Sequence, residues 1–286
     1  MDIQWFPGHM AKTRRELETT IPKVDVVLEI RDARAPIAST NPIIGELCQN
    51  KPRVIVLNKA DLADPQRTSE WMKQLKSEGV IIPFSATQAN RKGALAAACL
   101  AAVQARYPSR TLRSISALVV GIPNCGKSAV INQLRGRTVV RAANRPGVTR
   151  GLTWIKVDET FRVADTPGVL WPKFDNPETG MVLASIGAIN DDRLDSETLA
   201  LWIIRFLSER YPTALETRYK VVPLESAELT LEAIAKKRGV IVGGGKVDIE
   251  QIASILIAEF RVGKLGRVSV EAAQLTLSPN FPVREN

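Results

Sequence analysis

Short apolar runs alternate with segments of helical periodicity over residues 1–174. Runs of the length expected for buried strands occur at 24–30, 53–57, 80–84, 117–120, 152–157 and 161–164. Helical patterns occur at 11–20, 42–48, 66–78 and 93–106, and again after residue 128. Strands that alternate with helices are typical of α/β proteins, so we predict a mainly parallel sheet with helices on both faces.

The pattern changes near residue 174. Helical periodicity without comparable strands is found at 198–207, 228–238 and 248–261. We therefore predict two domains along the chain. An α/β domain is expected over residues 1–174, with an N-terminal arm at 1–22, and a small all-α domain is expected over residues 175–286.

The composition is that of a soluble globular protein, with 45% apolar and 24% charged residues. No apolar run approaches the ~20 residues that span a membrane, and the N-terminus lacks the pattern of a signal peptide. Cys48, Cys99 and Cys125 are an odd set without close pairing, which argues against a disulfide framework and a zinc site. We therefore expect a cytoplasmic protein that does not bind membranes.

Positive charge is concentrated in the N-terminal part of the chain. The net charge is +9, but residues 1–174 carry 26 Lys and Arg against 14 Asp and Glu, whereas residues 175–286 carry 13 against 16. The stretch between Gln133 and Val157 holds no acid, and its basic residues are Arg135, Arg137, Arg141, Arg145, Arg150 and Lys156. This excess suggests a polyanionic partner, nucleic acid before membrane. The alternative is a solvated basic face without a partner.

A glycine-bounded loop follows the fourth predicted strand and precedes a helix. Residues 121–128 read Gly-Ile-Pro-Asn-Cys-Gly-Lys-Ser. In this context the backbone N–H groups and the positive end of the helix are expected to hold phosphate. Lys127 is expected to contact the β- and γ-phosphates, and the Ser128 hydroxyl to bind magnesium. The predicted nucleotide-binding residues here are Asn124, Cys125, Gly126, Lys127, Ser128 and Ala129.

Two motifs after the second and third strands are expected to bind a guanine base. Residues 58–61 read Asn-Lys-Ala-Asp. The Asp61 carboxylate can accept both N1–H and the exocyclic amine of guanine, a pair that adenine cannot supply. Asn58 is expected to tie this loop to the phosphate loop, and the Lys59 stem to lie along the ring. Backbone N–H groups are expected to close the pocket at Ser85, Ala86 and Thr87.

The last predicted strand ends in Asp-Thr-Pro-Gly at residues 165–168. Asp165 is expected to reach magnesium through water, and the Gly168 N–H to contact the γ-phosphate. The second hydroxyl on magnesium is assigned to Thr149, with Thr153 as the alternative.

The order of these motifs is reversed relative to ordinary GTPases, in which the phosphate loop and Asp-x-x-Gly precede Asn-Lys-x-Asp. The same sheet can be built if the chain is cut after the Asp-x-x-Gly strand and the former ends are joined. Such permutation is tolerated when the chain ends lie close together at the surface. The motif order therefore predicts a circularly permuted GTPase.

Further segments match one family of such permuted GTPases. They are 5–10 (Trp-Phe-Pro-Gly-His-Met), 32–36 (Asp-Ala-Arg-Ala-Pro), 146–149 (Pro-Gly-Val-Thr) and 260–266 (Phe-Arg-Val-Gly-Lys-Leu-Gly). With the nucleotide motifs, they resemble the bacterial ribosome biogenesis GTPase A (YlqF/RbgA) family over nearly the whole chain. The resemblance implies a circularly permuted P-loop GTPase domain followed by the all-α domain. It also implies hydrolysis of GTP to GDP and phosphate late in assembly of the large (50S) ribosomal subunit, stimulation by that particle, and contact with rRNA.

The catalytic residues are harder to assign. Val169 follows Gly168, and valine can neither orient nor deprotonate water, so slow intrinsic hydrolysis is expected. Asn124 lies where, in similar GTPases, an asparagine helps to hold potassium. The resemblance suggests a catalytic part for His9, although a lone histidine in an N-terminal arm is more often a surface or packing residue. The assigned catalytic residues are His9, Asn124, Lys127 and Gly168, and the assigned metal ligands are Ser128, Thr149 and Asp165 for magnesium and Asn124 for potassium.

Two other functions fit the same residues. One is a GTP-dependent RNA-binding scaffold in which hydrolysis is incidental. The other is a GTPase of another RNA-linked pathway, such as RNA modification, without a ribosomal target. No DNA partner is expected.

Overall fold

The computed structural model describes residues 7–48, 50–87, 92–111, 113–136, 153–166, 176–189 and 195–273, with the backbone alone for residues 7–13 and 92. Within these residues, six strands form one sheet in the order β3-β2-β1-β4-β6-β5. The strands are β1 (Val26–Asp32), β2 (Arg53–Asn58), β3 (Val80–Pro83), β4 (Ile115–Val120), β5 (Thr153–Lys156) and β6 (Phe161–Asp165). Neighbouring strands run parallel except β5, which is antiparallel to β6. The predicted mainly parallel sheet is confirmed.

Helices cover both faces of this sheet. The first five are α1 (Pro7–Thr20), α2 (Pro42–Leu47), α3 (Pro65–Gln74), α4 (Lys92–Arg106) and α5 (Lys127–Arg135). Alternate strand residues point to opposite faces, so Val26 and Leu28 of β1 join the apolar cluster that holds α4 and α5, whereas Val27 joins the cluster that holds α1 and α2. The third apolar cluster contains Trp71 of α3. The helices on both faces were predicted, and that arrangement is confirmed.

Strand β1 is displaced relative to its prediction. It begins at Val26 rather than at residue 24 and continues through Asp32, two residues beyond the predicted end. The polar residues extend the strand because their charges are paired inside the protein. Arg31 Nε lies 2.8 Å from Glu29 Oε1, and Arg34 Nη2 lies 2.8 Å from Asp32 Oδ2. A buried charge is tolerated when it is paired and hydrogen-bonded in this way.

The described part of the chain after residue 175 contains helices but no strand, apart from one isolated bridge between Ile241 and Val247. Its helices are α6 (Pro177–Ser185), α7 (Ser196–Arg210), α8 (Thr213–Tyr219), α9 (Ala227–Arg238) and α10 (Ile249–Arg261). The Asp248 side chain caps α10 by accepting a hydrogen bond from Gln251 N. Helices α6 and α8 were not predicted, since α8 has only 7 residues and α6 includes a glycine in its middle. We call α6 to α10 the helical region.

Residues 267–271, the C-terminal return segment, leave the helical region and lie against the α/β part. Val268 N donates to Leu62 O at 3.0 Å, and Val270 N donates to Arg34 O at 2.7 Å. Arg267 Nη2 donates to Ala60 O at 2.8 Å, inside the predicted base-binding motif. The return segment therefore packs against the backbone that follows β2 and is hydrogen-bonded to it.

The return segment ends in Glu271, which is half-buried. Glu271 accepts hydrogen bonds from Ile37 N at 2.7 Å and from Ala38 N at 2.8 Å. Burial raises the pKa of Glu271 to about 7. The two backbone donors and Arg31 lower this pKa, whereas Asp32 raises it further. The folded protein therefore binds a proton here at pH values where the unfolded chain, with an ordinary pKa of 4.5, does not.

This proton gives an expected pH dependence of stability. Between about pH 4.5 and pH 7 the folded state holds more protons than the unfolded state at Glu271, so its contribution to the free energy of unfolding falls as the pH rises. Above about pH 7 the contribution is constant. Glu271→Gln should remove this slope, and urea unfolding of both proteins from pH 5 to pH 8 measures it. Glu225→Gln, at an exposed position, is the matched control, and a wild-type minus Glu271→Gln difference that does not vary with pH would contradict the expectation.

Candidate functional site

The predicted motifs lie along one edge of the sheet. Strand β2 ends at Asn58, β6 ends at Asp165, and β4 runs directly into the phosphate loop. In the sheet register Asn58 lies beside Asp32 of β1, and Asp165 lies beside Val119 of β4. Ligands in parallel sheets bind beyond the carboxyl ends of the strands. Segments that are far apart in sequence and in reversed order thus converge there.

The phosphate loop requires glycine at both of its ends. Gly121 has φ +152°, and a Cβ at this position would lie 2.4 Å from Ile30 O. Gly126 has φ +96°, and a Cβ there would lie 2.2 Å from Asn58 Nδ2. The loop therefore approaches two neighbouring strands more closely than any side chain permits. Its backbone and the first turn of α5 form the cradle that a phosphate needs.

Lys127 lies inside this cradle. Its side chain is buried, and Nζ donates to Ile122 O at 2.8 Å and to Gly121 O at 3.2 Å. A buried ammonium that donates to loop carbonyls suits an anionic ligand, because phosphate oxygens offer it a charged partner. Ser128, which follows in α5, is half-buried.

The base motif is tied to the phosphate loop by two side chains. Asn58 Nδ2 donates to Cys125 O at 2.8 Å, which is the tie expected of Asn58. Lys59 Nζ donates to Asn124 O at 2.9 Å and pairs with Asp32 Oδ2 at 3.0 Å. The Lys59 ammonium is thereby anchored between the phosphate loop and the end of β1, while its stem is the part that was expected to lie along the base.

The predicted base-pocket residues come together as a group. Thr87 Oγ1 donates to Asp61 Oδ2 at 3.2 Å and lies 2.8 Å from Ser85 Oγ. Ala60 N also donates to Phe84 O at 3.0 Å, which joins the loop after β2 to the end of β3. The contacts of these residues with a guanine base stay predictions.

Hard oxygen ligands for magnesium are present on two neighbouring strands and on α5. Asp165 is buried at the end of β6, and Thr166 Oγ1, which follows it, donates to Val119 O at 2.7 Å. Thr153, the alternative threonine, is the cross-strand partner of Asp165. Carboxylate and hydroxyl oxygens are the ligands that magnesium prefers, so these residues and Ser128 fit the ion.

Several predicted residues lie outside what the structure describes. Thr149 and Gly168 are among them, as is Val169. For His9 the backbone alone is described, in α1. Their roles stay predictions.

Asp32 and Arg34 lie next to the site, and no role was predicted for them. Arg34 Nε and Nη2 bind the two carboxylate oxygens of Asp32 at 2.9 Å and 2.8 Å. Burial opposes the charge on Asp32, but the Arg34 guanidinium and the Lys59 ammonium outweigh it and hold the pKa of that carboxyl well below its ordinary value. The sequence signals were a run of buried-strand residues that ends in a charged cluster at 31–34, and the family resemblance of segment 32–36.

Known proteins are similar in sequence to this chain. A ribosome biogenesis GTPase A from Bacillus cereus is 41% identical over 282 residues, which cover 96% of this chain and 95% of that protein. The chain belongs to the ribosome biogenesis GTPase A family. It is a GTP-hydrolysing enzyme, as its family name states and as the arrangement of the phosphate and base loops supports.

Structural comparison gives the same family. YlqF bound to GDP superimposes with a TM-score of 0.67 at 26% identity, over 90% of this chain and 99% of that one. YlqF from T. maritima bound to GNP superimposes with a TM-score of 0.64 at 26% identity, over 92% of this chain and 99% of that one. The circularly permuted GTPase fold predicted from the motif order is confirmed.

A profile of the 50S ribosome-binding GTPases matches residues 116–237. The match begins in β4, just before the phosphate loop, and does not include residues 58–61. In this chain the base motif precedes the phosphate loop, so a match that starts at the phosphate loop cannot include the base motif. This fits the permuted order. Among the residues described, no helix combines the length and the apolar character needed to cross a bilayer.

Proposed function

We propose that this GTPase acts in assembly of the large ribosomal subunit and that the particle stimulates its hydrolysis of GTP. The observation that carries the nucleotide part is the contact of Asn58 Nδ2 with Cys125 O at 2.8 Å, which closes one guanine-nucleotide site from the two reversed halves of the chain. The ribosomal part is supported by family membership and by the match to 50S ribosome-binding GTPases.

The residues of the site divide the work of holding the nucleotide. The backbone of residues 121–129 cradles the phosphates, and Lys127 neutralises the β- and γ-oxygens. Asp61 selects guanine through its two oxygens, and residues 85–87 close the base pocket. Ser128 binds magnesium directly and Asp165 binds it through water, with Thr149 or Thr153 as the second hydroxyl. When bound, magnesium supplies positive charge to the β- and γ-phosphate oxygens.

Hydrolysis requires help from outside the common GTPase residues. Val169 offers no group that could orient the attacking water, so the isolated protein is expected to turn over slowly. We assign the missing function to the assembly particle, with a catalytic part for His9 of the N-terminal helix. Asn124 holds a potassium ion that adds positive charge near the β–γ bridge.

Contact with rRNA is supported by the basic charge of the N-terminal part. Of the basic residues in the acid-free stretch, Arg135 is used within the protein, where its guanidinium donates to the carbonyls of Lys156 and Val157. Lys156 pairs with Glu159 at the exposed end of the β5–β6 hairpin. The other arginines of that stretch lie outside the described residues, and we propose that they contact RNA phosphates. We place the protein in the cytoplasm, where ribosomes are assembled.

The proposal is tested by GTP turnover with purified large subunits, with small subunits and with free rRNA. Stimulation by large subunits of many-fold, and not by the other two, is expected. If the protein binds the subunit but turnover does not change, the protein is a GTP-dependent scaffold. If it does not co-sediment with large subunits or their precursors, the ribosomal target is wrong and another RNA-linked pathway is favoured.

Potassium dependence is a separate prediction. Asn124 Nδ2 donates to Gly187 O at 3.0 Å, so the amide oxygen is the end that could bind a cation. Replacing potassium by sodium should slow hydrolysis about 10²-fold, the low end for loss of one group that stabilises transition-state charge. Rates are measured at equal ionic strength, with GDP affinity in both salts as the control. Equal rates in the two salts would remove the potassium role from Asn124.

A further inference from the structure

We propose that Asp32 and Arg34 are positioning residues for the nucleotide site. They couple the packing of the helical region against the α/β part, which we call its seating, to the binding of guanine nucleotide. The inference rests on the nucleotide site proposed above. It concerns residues that neither contact phosphate nor read the base. They act through Lys59 and Asn124, which do belong to that site.

Arg34 joins the end of β1 to the helical region. In addition to its two bonds with Asp32, the guanidinium donates from Nη1 to Arg261 O and from Nη2 to Ile186 O, each at 3.1 Å. Arg261 is the last residue of α10, and Ile186 is the C-cap of α6. The carbonyls at the end of a helix lack partners within it and carry its negative dipole end, so a buried cation stabilises them. Arg34 therefore caps two helices at once.

Asp32 joins the same cluster to the nucleotide motifs. Its carboxylate binds the Lys59 ammonium at 3.0 Å, and that ammonium donates to Asn124 O at 2.9 Å. Asp32 is almost completely buried, so Lys59 interacts with it under little solvent screening. The position of the Lys59 side chain, and with it the Asn124 backbone, thus depends on Asp32.

A second contact completes a closed set of contacts, which we call the circuit. Asn124 Nδ2 donates to Gly187 O at 3.0 Å, one residue beyond the Ile186 carbonyl that Arg34 binds. The path from Asp32 through Lys59, Asn124 and the α6 end returns to Asp32 through Arg34. A movement of the helical region therefore cannot leave both the phosphate loop and the Asp32–Arg34 pair undisturbed.

Backbone strain is concentrated on this circuit. Non-glycine residues with positive φ in the described chain are Lys59 at 58°, Asn124 at 56° and Lys220 at 58°. The first two are members of the circuit, while Lys220 ends α8. Left-handed conformations at such residues persist when surrounding contacts hold them. The contacts that hold Lys59 and Asn124 include Asp32 and Gly187, so loosening the helical region should release these two backbones and weaken nucleotide binding.

Binding and seating are then linked reciprocally. If seating of the helical region favours GDP binding, GDP binding must stabilise that seating by the same free energy. The amides that report on it are in the α6 end, where Gly187 N donates to Ala184 O at 2.9 Å and Ala188 N donates to Leu183 O at 2.8 Å. Their hydrogen exchange should slow when GDP binds.

The test compares Arg34→Lys with wild type in the full-length protein. Lysine keeps the charge but cannot bind both carboxylate oxygens and two helix ends together. Arg34→Lys should weaken GDP binding about tenfold, within the usual range of coupling energies, and should abolish the GDP-induced protection at residues 186–188. The matched control is Arg218→Lys, which breaks a similar fork, with Nε 2.8 Å from Glu259 Oε2, inside the helical region. That control should lower thermal stability and leave GDP affinity within about twofold.

A second variant, Gly187→Ala, tests the coupling if Arg34→Lys does not fold. Gly187 has φ +73°, and a Cβ there would lie 3.3 Å from Arg261 Cδ, so Gly187→Ala should shift the carbonyl that Asn124 binds. It should weaken GDP binding in the same direction. Unchanged GDP affinity in a folded Arg34→Lys or Gly187→Ala protein, or an equal loss in Arg218→Lys, would overturn the coupling. Failure of wild-type protein to bind GDP would instead overturn the nucleotide site.

Discussion

Lys127→Ala should weaken binding of GTP and GDP by on the order of 10²–10³-fold. The Lys127 ammonium is buried and lies 2.8 Å from Ile122 O and 3.2 Å from Gly121 O. Without it, the β- and γ-phosphates would lose the buried ammonium that pairs with them in this cradle. Removing one partner of a buried charge pair leaves the other unpaired, which is why the loss is large.

The measurement is titration of each protein with a fluorescent GDP analogue, after thermal unfolding has shown that the variant is folded. Lys156→Ala is the matched control, because Lys156 is an exposed lysine that pairs with Glu159 at 2.6 Å, away from the phosphate loop. It should bind GDP like wild type. If Lys127→Ala kept wild-type affinity, residues 121–128 would not be the phosphate site.

Asp61→Asn should change which base the protein prefers, from guanine toward xanthine, by on the order of 10³-fold in relative affinity. The carboxylate accepts two N–H groups of guanine, and an amide cannot accept both. Xanthine presents a carbonyl where guanine has its exocyclic amine, so the new amide N–H can donate to it. Asp61 is already oriented by Thr87 Oγ1, which lies 3.2 Å from Oδ2.

Competition of GDP and xanthosine diphosphate for the bound fluorescent analogue measures the shift. Asp195→Asn is the control, since Asp195 caps α7 by accepting from Thr198 N, and asparagine caps helices equally well. It should keep the preference for guanine. Loss of GDP binding without any gain for the xanthine nucleotide would leave the Asp61 assignment unsupported.

The sheet and the motif positions could be predicted because their signals are local. Each strand is a short apolar run, and each polar motif begins where a run ends. The order of the halves then follows from comparison with ordinary GTPases. The Asp248 cap of α10 has a local signal of the same kind, because Asp248 and Gln251 stand at the spacing of a helix cap.

The contacts that join the helical region to the site could not be predicted. Arg34 binds a carbonyl 227 positions away at Arg261, and Asn124 binds one 63 positions away at Gly187. No periodicity or spacing marks such pairs, because a backbone carbonyl has no sequence signature. The return of residues 267–271 onto the base loop was missed for the same reason. Its bonds are made largely by backbone N–H groups, which every residue except proline carries.

The strand order also has a consequence during synthesis of the chain. Strands β1, β2 and β3 pair with one another within residues 26–83, so the base-reading half can assemble while the phosphate loop is still being translated. Strand β4 must then add to the free edge of β1, where Val27 lies beside Leu118. Domains form from the N-terminus onward as they leave the ribosome, and an unpaired apolar edge is prone to aggregation until it is covered. We therefore expect the nascent chain to need shielding of β1 until β4 has emerged from the exit tunnel.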